Sequence, residues 1–115
     1  MTGTNAALDN ALRAAQDCEK SLGLLQETCC IQERSQKMVS LVDQVRSLVR
    51  NLNGAGASHS NVAEETLHQV EEVGAALGKL YATCCTPTRE RLYVRMYRAL
   101  GTINLAMWKI KGVSH

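Results

Sequence analysis

Apolar residues recur three and four positions apart along four stretches of the chain, the spacing that lines one face of an α-helix. The clearest run is Met38, Leu41, Val45, Leu48 and Leu52. A second runs Val70, Val73, Leu77, Leu80 and Cys84, and a third Leu92, Met96, Leu100, Ile103, Met107 and Ile110. The first stretch is weaker, with Leu8, Leu12, Ala15, Leu22, Leu25 and Cys29 as its seam. Polar residues fill the intervening positions, so each stretch has one face for a core and one for water. No stretch alternates with the period of two that a half-buried strand needs. The pattern predicts helices near 5–29, 32–53, 61–85 and 87–111.

The breaks between them have separate chemical causes. Asn53-Gly-Ala-Gly-Ala-Ser-His-Ser60 places two glycines and two serines together, which ends a helix and predicts a loop over 54–60. Asn61 followed by Glu64 then offers an N-cap with a carboxylate at the third helical position. Thr86-Pro87 drives Thr86 out of helical conformation and leaves Pro87 suited to the first turn of a new helix. The corner near residue 30 has neither Pro nor Gly. It is expected from four residues of modest helix propensity, Thr28-Cys-Cys-Ile31.

That corner gains support from a repeat. LGLLQETCCIQER, Leu22 to Arg34, returns 55 positions later as LGKLYATCCTPTR, Leu77 to Arg89, with seven of the thirteen positions identical. Leu12/Leu67, Val39/Val94 and Leu48/Ile103 keep the same offset. The expected fold is all-α, a four-helix bundle made of two tandem helix-corner-helix units. The pseudo-repeats span about 5–53 and 61–111 within a single domain covering 1–115. The alternative is a long kinked helical hairpin, folded about Ala57, that dimerises as a coiled coil. In either arrangement the double cysteines Cys29-Cys30 and Cys84-Cys85 converge.

Composition adjusts this picture little. A length of 115 residues suits one domain with a core of its own. With 45% apolar and 21% charged residues the chain has ordinary globular composition, and one Pro with no Phe argues against a sandwich or barrel. There is no basic-then-apolar leader pattern and no membrane-length apolar run. Five cysteines, an odd count, then point to a reducing compartment, cytoplasmic or nuclear.

Charge is uneven although the net is only +2. The first segment carries Asp9, Asp17, Glu19 and Glu27 against Arg13 and Lys20, and the third carries Glu64, Glu65, Glu71 and Glu72 against Lys79. The second is mildly basic, and the fourth holds Arg89, Arg91, Arg95, Arg98, Lys109 and Lys111 against Glu90 alone. Signs alternate along the chain, which biases neighbouring segments toward each other.

Candidate chemistry is sparse. Adjacent cysteines seldom direct both thiolates to one metal, so the pairs read as small apolar packing rather than a zinc or redox centre. His59, His68 and His115 share no spacing with one another or with a cysteine that would make a ligand set or a nucleophile-base pair. Gly54-Ala-Gly56 lacks the Lys and Ser/Thr of a phosphate loop. Neither enzyme activity nor a cofactor is expected. The informative stretch is the last, RERLYVRMYRALGTINLAMWKIK, which has more apolar surface than one seam uses. Tyr93, Tyr97, Gly101, Asn104 and Trp108 follow a second line, beside a basic line of Arg91, Arg95 and Arg98. Aromatics with arginines are enriched in interface hot spots. The sequence therefore predicts an intracellular helical adaptor or subunit of a larger assembly. Its partner protein would bind through Arg91, Tyr93, Arg95, Tyr97, Arg98 and Trp108, and self-association is a further expectation. The alternative is a small RNA- or DNA-binding helical dimer whose arginine line contacts phosphates, against which the acidic third segment counts.

Overall fold

The computed structural model describes residues 2–28, 36–53, 59–83 and 89–113. Among these it is entirely helical: α1 Thr2–Thr28, α2 Gln36–Asn53, α3 His59–Thr83 and α4 Arg89–Val113. Each helix packs against the next, and α4 closes the ring on α1. Antiparallel neighbours follow from the side chains that meet, Arg46 of α2 reaching Glu19 of α1 at 3.7 Å and Lys111 of α4 reaching Glu64 of α3 at 3.8 Å. The result is an up-down-up-down four-helix bundle. Its longest dimension is 46 Å, where an unbroken helix of about 48 residues would reach roughly 70 Å at 1.5 Å per residue. The bundle therefore replaces the long hairpin.

Helix α3 begins at His59, so Asn61 lies inside its first turn rather than capping it. Glu64 faces Lys111 instead. Pro87 and the Cys29-Cys30 and Cys84-Cys85 pairs fall outside the described residues, so the expected convergence of the cysteines does too.

The core is built mostly from the predicted seams. All five seam residues of α2 are buried, and all six of α4, from Leu92 to Ile110, are buried as well. Each such side chain contributes about 1.5–3 kcal/mol through removal from water. Helix α3 buries Val70, Val73, Leu77 and Leu80, and extends the stripe toward its start with Ala63 and Thr66.

Helix α1 keeps its expected seam at Ala15, Leu22 and Leu25, all buried, and departs from it in its first half. There Ala7 and Ala11 are buried, with Cys18 added further on, whereas Leu8 and Leu12 pack only partly buried against the core. The reason is the partner: α1 and α4 are the most closely packed pair, and a line of small side chains facing Ala99 and Ala106 of α4 permits that close approach. Large side chains dominate a hydrophobic pattern by eye, and the alanine line lies one position earlier. The α2–α3 seam is more polar. There Asn51 Nδ2 donates to Thr66 Oγ1 at 3.4 Å and to Gln69 Oε1 at 3.2 Å.

Candidate partner-binding surface on the last helix

Because α4 touches α1 on one side and α3 on the other, it buries a broad arc, and its remaining outward surface is divided lengthwise. One part is apolar. Val94 is 53% exposed, Tyr97 43%, Leu105 69% and Trp108 57%, and with Leu24 and Val39 they are the large apolar side chains that the described residues expose. The other part is basic, with Arg91, Arg95, Arg98 and Lys109 exposed toward α1. At 100° per residue Tyr97 and Trp108 occupy the arc next to α3, Val94 and Leu105 the outermost arc, and the cations the arc next to α1; Leu105 also lines the groove with Ala6, Ala7 and Asn10 of α1.

The structure separates Tyr93 from the other expected site residues. It is 2% exposed, with its ring edge-on to Tyr81 of α3 at 4.9 Å between centroids and 72° between planes. The line from Tyr93 to Trp108 drifts around the helix by roughly 60°, since its steps of four and three do not close on 3.6 residues per turn. Tyr93 sits at the core end of that drift and Trp108 at the solvent end. Tyr93 is therefore a core residue that joins the last two helices. Tyr81 adds to the same joint, its Oη donating to Glu90 Oε2 at 3.2 Å.

Tyr97 stands at the boundary. Partial burial raises its phenol above the ordinary range, and a Cβ placed on Gly78 of α3 would lie 3.6 Å from its Oη. Trp108 carries the Lys111 ammonium over its ring, 4.8 Å from the centroid, a cation–π contact between residues three apart on one helix. Arg91, Arg95 and Arg98 make no ion pair among the described residues.

Three contributions to this surface escape the sequence reading. Val94 and Leu105 complete the apolar arc; they were hidden because neither lies on the four-and-three line through the aromatics. Arg13, from the acidic first helix, joins Arg95 and Arg98 around a groove of about 560 Å³ between α1 and α4. Its carboxylate partner Asp9, at 3.0 Å, marks it locally as an ordinary pair within one helix. Helix α3 supplies the other wall of a second groove, of about 650 Å³, with Leu67, Gly74 and Ala75 opposite Tyr97, Gly101 and Trp108.

Other chemical groups lie apart from this surface. Cys18 is buried in the core, and burial first, with Asp17 and Glu19 adding, pushes its thiol up to about 12. His68 faces Glu72 at 3.4 Å on the exposed side of α3. Among the described residues no three His, Cys, Asp or Glu side chains are placed to hold a metal ion. No described helix is long and apolar enough to cross a membrane. The chain matches no protein-family model, no curated protein and no solved structure.

Proposed function

We propose that the chain is a non-enzymatic helical adaptor, or a subunit of a larger cytoplasmic or nuclear assembly, that binds a partner protein through α4. One observation carries this reading: of the six large apolar side chains exposed on the described residues, four are on α4, beside arginines that make no ion pair among the described residues. A helix bearing Val94, Tyr97, Leu105 and Trp108 on its outer side leaves apolar area in water that a partner would cover. Tyr, Trp and Arg are the side chains that most often anchor such contacts. The 55-residue repeat agrees with a duplicated helical hairpin as the scaffold.

The nucleic-acid reading rests on the same arginines, joined by Arg13. Against it, Glu71 of α3 lines the groove beside Tyr97 and Trp108 and Glu64 pairs with Lys111 of α4, so acidic groups border the apolar arc and would repel phosphates. The two readings separate experimentally. Changing Arg91, Arg95 and Arg98 together to Glu leaves helical circular dichroism intact and lowers recovery of the partner. Tyr97→Ala or Trp108→Ala weakens a protein partner by tenfold or more with little salt dependence, corresponding to about 1.4 kcal/mol or more. Recovery that is abolished by nuclease and falls steeply with salt identifies nucleic acid. Partners that survive all of these substitutions exclude α4 as the binding surface.

A further inference from the structure

Two grooves on opposite sides of the ring are built from equivalent positions. The α1–α4 groove is lined by Ala14, Asp17, Arg95, Arg98, Ala99 and Thr102, with Asn10 and Arg13 at one end. The residues 55 positions from the first six, Gln69, Glu72, Ser40, Asp43, Gln44 and Ser47, all line the α2–α3 groove. Helices α1 and α3 run one way and α2 and α4 the other, so the equivalence is a half-turn about the bundle axis. It carries one groove onto the other at the same level. The side chains differ. Ala14 and Ala99 leave a groove of about 560 Å³, where Gln69 and Gln44 reduce theirs to about 290 Å³. The charge is inverted as well: Arg13, Arg95 and Arg98 against Asp17 give the first lining +2, and Asp43 and Glu72 give the second −2.

We infer that a second copy of this chain sets its α2–α3 face against the α1–α4 groove, Asp43 and Glu72 of one copy meeting Arg95 and Arg98 of the other. The inference goes beyond the reading of α4 as a partner surface: it gives the basic arc to self-association and leaves the Tyr97 and Trp108 arc to another protein. Its first support is that the bundle has no use for the arginines. Three apart on one helix, Arg95 and Arg98 repel each other, and the same positions of the first half are Ser40 and Asp43. Arg95, Arg98 and Asp43 are exposed and make no ion pair among the described residues, whereas Arg13 is held by Asp9 at 3.0 Å and Glu72 faces His68 at 3.4 Å. The second support is placement. The grooves face away from each other at one level, so a copy displaced sideways by the width of the bundle, without rotation, brings its acidic groove opposite the basic one. A nucleic acid or an anionic membrane would meet Arg95 and Arg98 and give the inverted charge of the opposite groove no counterpart; a second copy accounts for both. Each contact leaves one face of each sign open, so the assembly is head-to-tail and adds copies in sequence. Exposed pairs are weak singly, which makes the association weak and sensitive to salt.

Sedimentation velocity of the full chain, with a reductant present to prevent disulfide-linked oligomers, tests this at ionic strengths of about 0.01 M and about 1 M, where charges are screened beyond roughly 30 Å and 3 Å. At the lower value the weight-average mass rises with protein concentration without levelling at a dimer, and at the higher value it returns to the monomer. Arg95→Glu with Arg98→Glu makes both faces acidic, and Asp43→Lys with Glu72→Lys makes both basic. Each double variant keeps its helical circular dichroism and self-associates about tenfold or more weakly than the parent chain. An equimolar mixture of the two regains the parent's association, because acidic-faced and basic-faced copies then alternate. A variant that had merely lost its fold could not recover in this way. Tyr97→Ala and Trp108→Ala leave the association unchanged.

Several results overturn the inference. A monomer at both ionic strengths removes it and leaves α4 as a surface for another protein, which the Tyr97 and Trp108 truncations test separately. A mass that levels at the dimer means a closed twofold contact in place of this one. Association lost with Tyr97→Ala or Trp108→Ala but kept by both charge variants seats the second copy in the α3–α4 groove. A mixture that stays monomeric shows that the two faces do not meet. If the chain does not self-associate but binds an oligonucleotide or phosphatidylserine vesicles, and Arg95→Glu with Arg98→Glu abolishes that binding, the arginines belong to phosphate groups instead.

Discussion

Cys18 illustrates how a residue's chemistry is set by its place. On the sequence it is the cysteine outside the two double-cysteine motifs; in the bundle it is a buried member of the small-residue line on α1. Burial disfavours the thiolate, which is why the folded thiol titrates near 12, against about 8.5 in an unfolded chain. The neutral form is thus bound more tightly in the fold. The associated stability is fully present below the unfolded value and is lost as pH rises from about 8.5 toward 12. The melting temperature of the chain is expected to fall more steeply over that range than that of Cys18→Ala, and parallel pH profiles of the two would disprove the linkage. At pH 8, peptide mapping after iodoacetamide treatment should find Cys18 unmodified in folded protein and alkylated once denaturant is added.

At the scale of the helix, the α1–α4 contact depends on small side chains, so the direction of a volume change decides its effect. Ala7→Leu adds methylenes where α1 runs beside Ala106 of α4, and it is expected to lower stability by about 1–3 kcal/mol. Gly23 of α1 is the opposite case, since an added Cβ meets nothing within 4 Å. Gly23→Ala removes backbone freedom from the unfolded chain without crowding the fold, and should raise stability by about 0.5–1 kcal/mol. Denaturant titrations of both variants test the pair together. A tolerated leucine at position 7 would mean that α1 and α4 sit farther apart than this packing requires. The helices themselves were legible in the sequence because α2, α3 and α4 each offer one line of large apolar residues. The first half of the α1 seam was not, because alanine serves helix propensity and close packing equally and gives the pattern no contrast; Ala15, Leu22 and Leu25 were read correctly.

For the molecule as a whole, the order of the helices around the ring places each between two neighbours of opposite charge. Basic α2 and α4 alternate with acidic α1 and α3, and the Arg46–Glu19 and Lys111–Glu64 pairs are instances at 3.7 and 3.8 Å. Such exposed pairs add little stability individually; their summed effect favours this ring over one with like charges adjacent. The Cα radius of gyration is 14.4 Å, slightly above the value of about 13 Å for a compact chain of this length. Small-angle scattering of the monomer should therefore give a mildly elongated particle consistent with a 46 × 22 × 18 Å Cα envelope. A maximum dimension near 70 Å would mean that α1 and α2 are continuous in solution.

The sequence by itself determined the all-helical class, the segment boundaries to within a few residues, and the core faces of α2, α3 and α4. These follow from local quantities: a 3.6-residue period, glycine and proline breaks, and side-chain volume. It also marked α4 as the helix with surplus apolar surface. Only the tertiary structure decided how that surplus is divided. Tyr93 goes inward because Tyr81 of a neighbouring helix waits at that height, while Val94 and Leu105 go outward because no helix covers that arc. Arg13 joins the arginines of α4 because the ring closes α4 onto α1. The α3–α4 groove exists only because Gly74, Ala75 and Gly101, far apart in the chain, meet across an antiparallel pair. A periodic pattern specifies which face of a helix is buried, and three-dimensional packing specifies what it is buried against.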